Sequence, residues 1–326
     1  LRMTGPSTAL RMTGPSTALG SFDNTYNNQS IREYTMNLLL LFLLGGIWGT
    51  SFLFIKVIVS EVPPMTLVAG RLTIATLVIW TILTVRGLKP PRDRKLWRTY
   101  AVLGLFNSAL PYTMISWGEQ YISSGLAALL QSTTPIFTVL LAHFLTTDDR
   151  ITAKKLGGVL LGFTGVGLLM LPDLRSGVRA SLWGQLAMVA ASISYAGATI
   201  FARHRLKDEP PLVSAAGQFT MALVIMLPLS LLIDRPFDLS PSWQAIGSWA
   251  GLSLFGTVTA YVIYYSLLSR TSATFVTMTT YIVPINGLIL GAVILHESIR
   301  ATLLISLGLI LSGVLLVRNH KGDEDE

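Results

Sequence analysis

The chain of 326 residues contains no cysteine. Disulfides, thiolate metal sites and thiol nucleophiles are therefore excluded. Histidine is scarce, and His143, His204, His296 and His320 stand at no spacing that holds a metal. Charge is sparse as well: 13% of residues are Asp, Glu, Lys or Arg, about half the share of an ordinary soluble domain. No Asp or Glu falls in the middle of an apolar run; Glu119, Asp148, Asp234 and Glu297 all stand at run ends. A GxSxG nucleophile motif is missing, and the polar residues form no ring or filter-like run. These gaps argue against an intramembrane enzyme, against a channel, and against a proton relay at mid-membrane depth.

What the chain has instead is apolar surface. Hydrophobic residues make up 51% of it, and its mean hydropathy is +0.59. A soluble fold of this length cannot hide that much, whereas a bilayer acts as its solvent. Apolar runs predict ten helices, near 37–58, 65–85, 97–118, 123–145, 154–171, 181–203, 212–233, 243–268, 272–295 and 299–318. Most approach the roughly 20 residues needed to span a bilayer core. The runs lack the alternation of strands. The expected class is an all-α integral membrane protein, with no room for a soluble domain between spans.

Residues 1–35 are polar and open with LRMTGPSTA twice in tandem. They are read as a disorder-like tail, a cloning remnant or a mis-assigned start, outside the fold. Residues 319–326 form an acidic C-terminal tail.

The net charge of +7 would suggest nucleic acid in a soluble protein; here position matters more than sum, and no nucleic-acid partner is expected. Arg86, Lys89, Arg92, Arg94, Lys95 and Arg98 crowd the connection between spans two and three. Arg150, Lys154, Lys155, Arg203, Arg205, Lys207, Arg270 and the cations of both tails fall on the same side. The other side has only Arg175, Arg179, Arg235 and Arg300. By the positive-inside rule both termini are cytoplasmic, which requires an even number of helices.

The chain also repeats itself. SEVPPMTLVAGR from Ser60 aligns with KDEPPLVSAAGQ from Lys207 at an offset of 147. Pro63, Pro64, Ala69 and Gly70 match Pro210, Pro211, Ala216 and Gly217; Lys56 matches Arg203, Trp48 matches Tyr195, and Arg71 matches Gln218. Further on the offset is 149, pairing Tyr112 with Tyr261, Pro135 with Pro284 and Asp148 with Glu297. The repeats are expected at 36–172 and 181–318. Each holds five spans, so the second must lie inverted, a pattern typical of transporters that bind near the midplane.

Several stretches resemble the EamA domain of the drug/metabolite transporter superfamily. These are GGIWGTSFLFIK with VAGRL, then YTMISWGEQYISSGLAALLQSTTPIFTVLLAHFL and KKLGGVLLGFTGVGLLML, and in the second repeat YIVPINGLILGAVILHESI and LGLILSGVLLV. The resemblance covers about 36–318. It implies a multi-pass carrier of the cell inner (plasma) membrane with a central cavity, no cofactor or metal, and a small-molecule substrate. Similar bacterial members export amino acids and related metabolites, aromatic amino acids among them. Multidrug and sugar-nucleotide carriers of the same superfamily are the alternatives. Asp148 departs from the pattern, which usually has Glu there. Nothing in the pattern calls for a partner protein, and a monomer is expected.

The candidate substrate-binding residues are Trp48, Asn107, Tyr112, Gln131, Tyr195, Tyr261, Tyr265 and Tyr281. Their rings can stack on a planar or apolar group, and their amides can bind an amino or carboxyl group. An interfacial aromatic belt or interhelical bonding is the plainer reading of each. Pro135 and Pro284, read as lying mid-helix, are candidate hinges or simple kinks. Lys56, near a helix end, is a candidate electrostatic residue of the site, with a snorkelling lysine as its plainer reading. Arg71, one to two turns into its helix, is expected to face protein and attract an anionic group. Glycines at 158, 162 and 165, and Gly308 with Ser312, predict that spans five and ten pack on each other. With no acid at depth, facilitated export is favoured over proton antiport.

Overall fold

The computed structural model describes residues 19–91, 93–146, 151–206, 209–271, 273–276 and 278–317. Asp148 and the C-terminal tail lie outside these residues. Among the described residues there are helices and turns and no strands.

Ten spans follow one another. α1 is Leu19–Ile58 and α2 is Pro64–Val85. α3 comprises Arg94–Gly104, a π-helical turn at Leu105–Ala109, and Leu110–Gly118. α4 comprises Ser124–Gln131 and Thr134–Leu145. α5 is Ala153–Ser176 and α6 is Arg179–Arg205. α7 runs Pro211–Leu229 and ends in a π turn, Ser230–Asp234. α8 comprises Trp243–Ser253, a π turn at Leu254–Thr259, and Ala260–Arg270. α9 comprises Ala273–Val276 and Thr279–Ile294, and α10 is Ala301–Val317. Seven of these helices are long and apolar enough to cross a membrane, and Thr279–Ile294 and Ala301–Val317 are shorter apolar helices. An even number of spans puts the start of α1 and the end of α10 at one end of the bundle, here called the terminal end; the other is the far end.

Local chemistry explains the boundaries. Paired prolines open α2 and α7, where a missing N–H costs nothing. Side chains of Asp93, Ser123, Thr152 and Ser242 accept from the first-turn amides of α3, α4, α5 and α8. Gly177, at φ 71°, ends α5 in the left-handed conformation that glycine adopts freely. α1 begins at Leu19, well inside the polar stretch expected to end at residue 35. Once an apolar span has nucleated a helix, each further residue adds a bond at little cost.

The repeats interlock across the bundle. A methyl on Gly70 of α2 would lie 2.2 Å from Trp249 of α8, and one on Gly217 of α7 would lie 2.3 Å from Tyr100 of α3. Trp249 and Tyr100 are themselves 149 positions apart. Each repeat's glycine therefore seats the other repeat's ring, with the same geometry twice. α5 and α10 pack together as their glycines imply, but through Gly158, Gly165 and Gly313: a methyl on Gly158 would lie 2.6 Å from the Gly313 carbonyl. Gly308 has open space around it and Ser312 is exposed, so that pair points away from the seam.

Candidate functional site

Two of the three π turns, those in α3 and α8, are repeat mates: Leu105 and Leu254 start them, 149 positions apart. A π turn inserts one residue into the ladder and re-aims the side chains around it, and such turns gather at functional sites. Ser108 and Thr257, also 149 apart, sit within them. Each hydroxyl meets a long donor from the other repeat. Arg71 Nε on α2 donates to Thr257 Oγ1 at 2.8 Å. Gln218 Nε2 on α7 donates to Ser108 Oγ at 2.8 Å. Arg71 and Gln218 are repeat mates, so the molecule makes one clasp twice, charged in one copy and neutral in the other.

The charged clasp rests on aromatic surface. The Arg71 guanidinium lies over the Tyr112 ring, 3.9 Å from its centroid. Tyr195 of α6 is within electrostatic reach of both. Arg71 is only 6% exposed, and among the described residues no carboxylate pairs with it. A buried cation without a counter-ion is costly, and a stacked ring returns only about 0.5–2 kcal/mol. In the neutral clasp, Asn107 Nδ2 donates to Gln218 Oε1 at 3.2 Å and completes it.

From Thr257 an aromatic run leads away. Tyr261 lies one turn further along α8 and meets Phe219 of α7 edge-on, with centroids 5.1 Å apart. Tyr264 is 6.4 Å from Tyr261 and 5.9 Å from Trp48 of α1. Arg71, Tyr112, Tyr195, Asn107, Tyr261 and Trp48 thus collect around the two clasps and this run. Tyr281 packs at the edge of the main core, and the side chain of Tyr265 lies outside the described ones. Gln131 Nε2 donates to Thr134 at 3.0 Å, and its Oε1 is buried with no hydrogen-bond partner among the described residues. Two apolar grooves, of about 390 and 230 Å³, lie on α3, α4 and α6 and contain none of the predicted residues. Ser108 and Thr257 have no exposed surface, and Arg71 and Gln218 are each 6% exposed.

Two expectations change. Pro135 is not mid-helix: α4 breaks at Ser132 and Thr133, and Pro135 sits in the first turn of a new helix. Pro284 does lie inside Thr279–Ile294. Lys56 does not snorkel to solvent: its Nζ donates to the carbonyls of Glu119 at 2.5 Å and Ile122 at 2.8 Å, clasping the α3–α4 turn. Glu119 stands at a helix end, as read, yet is fully buried. Sequence reasoning missed Ser108, Thr257 and Gln218 as site residues. The hydroxyls at matched offsets were the available signal.

Comparison with known proteins agrees with this fold. The chain is 27% identical over 278 residues to the uncharacterized inner membrane transporter YedA of Escherichia coli K12, covering 85% of this chain and 89% of that one. It is 23% identical over 270 residues to the uncharacterized transporter YoaV of Bacillus subtilis, covering 83% and 92%. A WAT1-related chloroplastic protein of Arabidopsis thaliana is 26% identical, covering 85% of this chain and 68% of its own length. A solved crystal structure at 20% identity shares the fold, with a TM-score of 0.62 over 87% of this chain and 97% of that one. The model of the EamA-like transporter family matches residues 35–171 and again 182–319, and the chain belongs to that family.

Proposed function

We propose that this transporter exports small carboxylate-bearing metabolites, neutral or aromatic amino acids first among them, by alternating access. Arg71 carries the reading. It is a buried guanidinium, oriented by Thr257 and Tyr112, with no carboxylate of its own among the described residues. A substrate carboxylate supplies the missing charge through a hydrogen-bonded pair, the strongest kind of polar contact available there. The run from Phe219 through Tyr261 and Tyr264 to Trp48 offers apolar faces to an uncharged side chain. A sugar nucleotide is less well served, because its phosphates need several cations and Lys56 is already committed to backbone carbonyls.

The protein acts as a monomer in the inner (plasma) membrane, with the terminal end of the bundle in the cytoplasm, where most of its Lys and Arg lie. Transport is facilitated, since no acid lies at mid-depth to relay protons. Counterflow in proteoliposomes with a panel of labelled amino acids tests the reading. Neutral and aromatic amino acids should exchange, with or without a pH difference. Exchange of decarboxylated analogues at the same rate would remove Arg71 from the site and the reading with it.

A further inference from the structure

The far end of the bundle holds several carboxylates, and four of them are hydrogen-bonded. Glu61 accepts from the amide and hydroxyl of Ser242, which hold its carboxyl below its ordinary range. Asp234 accepts from the amide and hydroxyl of Thr66. Asp173 accepts from Ser181 and Gln185. Glu297 accepts from Ser124 N at 2.7 Å, Ser124 Oγ at 3.0 Å and Gly125 N at 3.1 Å. It caps the first turn of α4 from the opposite repeat. Room for it is made by Gly291, where a methyl would lie 2.4 Å from Glu297 Oε2.

Glu119 differs from all four. It lies in the α3–α4 turn with no exposed surface, and neither of its oxygens has a hydrogen-bond partner among the described residues. Lys56 reaches this turn from α1, but its ammonium is directed at carbonyl oxygens, one of them Glu119's own. Glu297 approaches from the end of α9. α6 packs here through Gly184 against Gly118 and presents Gln185, itself bonded to Asp173. Arg71 of α2 lies two turns deeper, beside Tyr112, and His296 next to Glu297 is exposed. Around the turn there are thus one ammonium and two carboxyls. Glu297 already takes three donors from this turn, two of them backbone amides. A second carboxylate, buried and unbonded, would be heavily penalised, whereas a neutral acid is not.

We propose that Glu119 is a proton-binding site: it is protonated while the far end is closed and releases its proton to that side when the end opens. Opening requires Lys56 and Glu297 to let go of the 119–125 turn, which admits water to the Glu119 carboxyl. In the closed state burial pushes that carboxyl well above its ordinary range, with Lys56 pulling it down and Glu297 pushing it up. The closed state therefore binds the extra proton. Raising the pH from the ordinary carboxylate range upward favours opening, and acid holds the end shut. The proton leaves to and returns from one side only, so none crosses the membrane and transport stays facilitated. The proposal rests on alternating access but needs no particular substrate.

The natural absence of cysteine supplies the test. Ala127→Cys places a thiol at a fully buried position under the α4 cap, and Ser60→Cys places one on the exposed surface as reference. In nanodiscs, labelling by a hydrophilic maleimide is measured against pH, and the buried rate is divided by the reference rate to remove thiol ionisation. The ratio should rise with pH, by up to about tenfold per unit for a one-proton step. In a Glu119→Gln background it should stay low and flat, and this variant should unfold at the wild-type temperature or above, since a neutral amide replaces a neutral acid. The same pH slope in Glu119→Gln overturns the proposal. So does marked thermal destabilisation by Glu119→Gln, which would mean that the ionised carboxylate is held by Lys56. Neither outcome involves amino acid exchange, so failure here and failure of the substrate reading are told apart.

Discussion

The two clasps, Arg71 with Thr257 and Gln218 with Ser108, are built on the same backbone in inverted copies and have diverged in charge. Both donors come from a helix opened by two prolines, and both acceptors sit in π turns at matched positions. The neutral clasp is completed by Asn107. The charged clasp is left open, with a guanidinium on a ring face. The duplicated fold therefore supplies two equivalent polar sites beside the core, one completed by neutral side chains and the other holding a guanidinium that no carboxylate among the described residues pairs. Buried polar groups in membrane proteins bond across helices and fix packing, and a buried ionisable group is by default a candidate functional site.

Making the clasps alike is the most damaging change expected. Arg71→Gln copies the neutral clasp into the first repeat. Losing a charged hydrogen bond of about 1.5–3 kcal/mol should lower amino acid exchange roughly ten- to a hundredfold in counterflow. Thermal stability should hold or rise, because a lone buried charge is removed. Equal losses of stability and exchange would make Arg71 a packing residue instead. A second contrast separates the acceptors. Thr257→Val should raise the KM of exchange several-fold by releasing the guanidinium, whereas Ser108→Ala should leave KM alone and lower stability by about 1 kcal/mol. Thermal unfolding beside initial-rate measurements distinguishes them, and matching effects in the two variants would erase the distinction between the clasps.

The paired rings come next. Tyr112 supports Arg71, while its mate Tyr261 belongs to the aromatic run. Replacing either by Ala should weaken exchange several-fold, in line with about 0.5–1.5 kcal/mol for a lost ring contact. Tyr112→Ala should affect every carboxylate substrate and Tyr261→Ala chiefly the aromatic ones, which a substrate panel reads directly. The paired prolines should show the smallest effect. Pro135 begins a helix and Pro284 interrupts one. Pro284→Ala should slow flux modestly at unchanged stability, and Pro135→Ala should do less. Wild-type flux in both would leave them as packing features.

Much of this fold was legible without coordinates. The ten runs, the basic bias and the matched pairs Gly70 with Gly217 and Tyr112 with Tyr261 were all visible. The π turns were not, because a single inserted residue shifts the helical phase without any marker residue. The break at Ser132 and Thr133 escaped for a related reason: Pro135 was read as a kink within one helix when it starts another. Lys56 was misplaced because a lysine near a helix end ordinarily reaches water, and the carbonyls that hold it lie 63 and 66 residues away. Glu119 was read correctly as a helix-end residue, but its complete burial had no signal in the sequence.

The sequence by itself determined the solvent, the span count and the symmetry, since these follow from run length, composition and internal repetition, each a sum over local residues. It also placed Arg71 at depth. Only the tertiary structure decided that Thr257 would orient Arg71, that Gln218 would be satisfied, and that Glu119 would be buried with no hydrogen-bond partner among the described residues. Those outcomes depend on which side chains meet across the interlocked repeats, and burial and pairing between residues more than a hundred positions apart are properties of the packed chain alone.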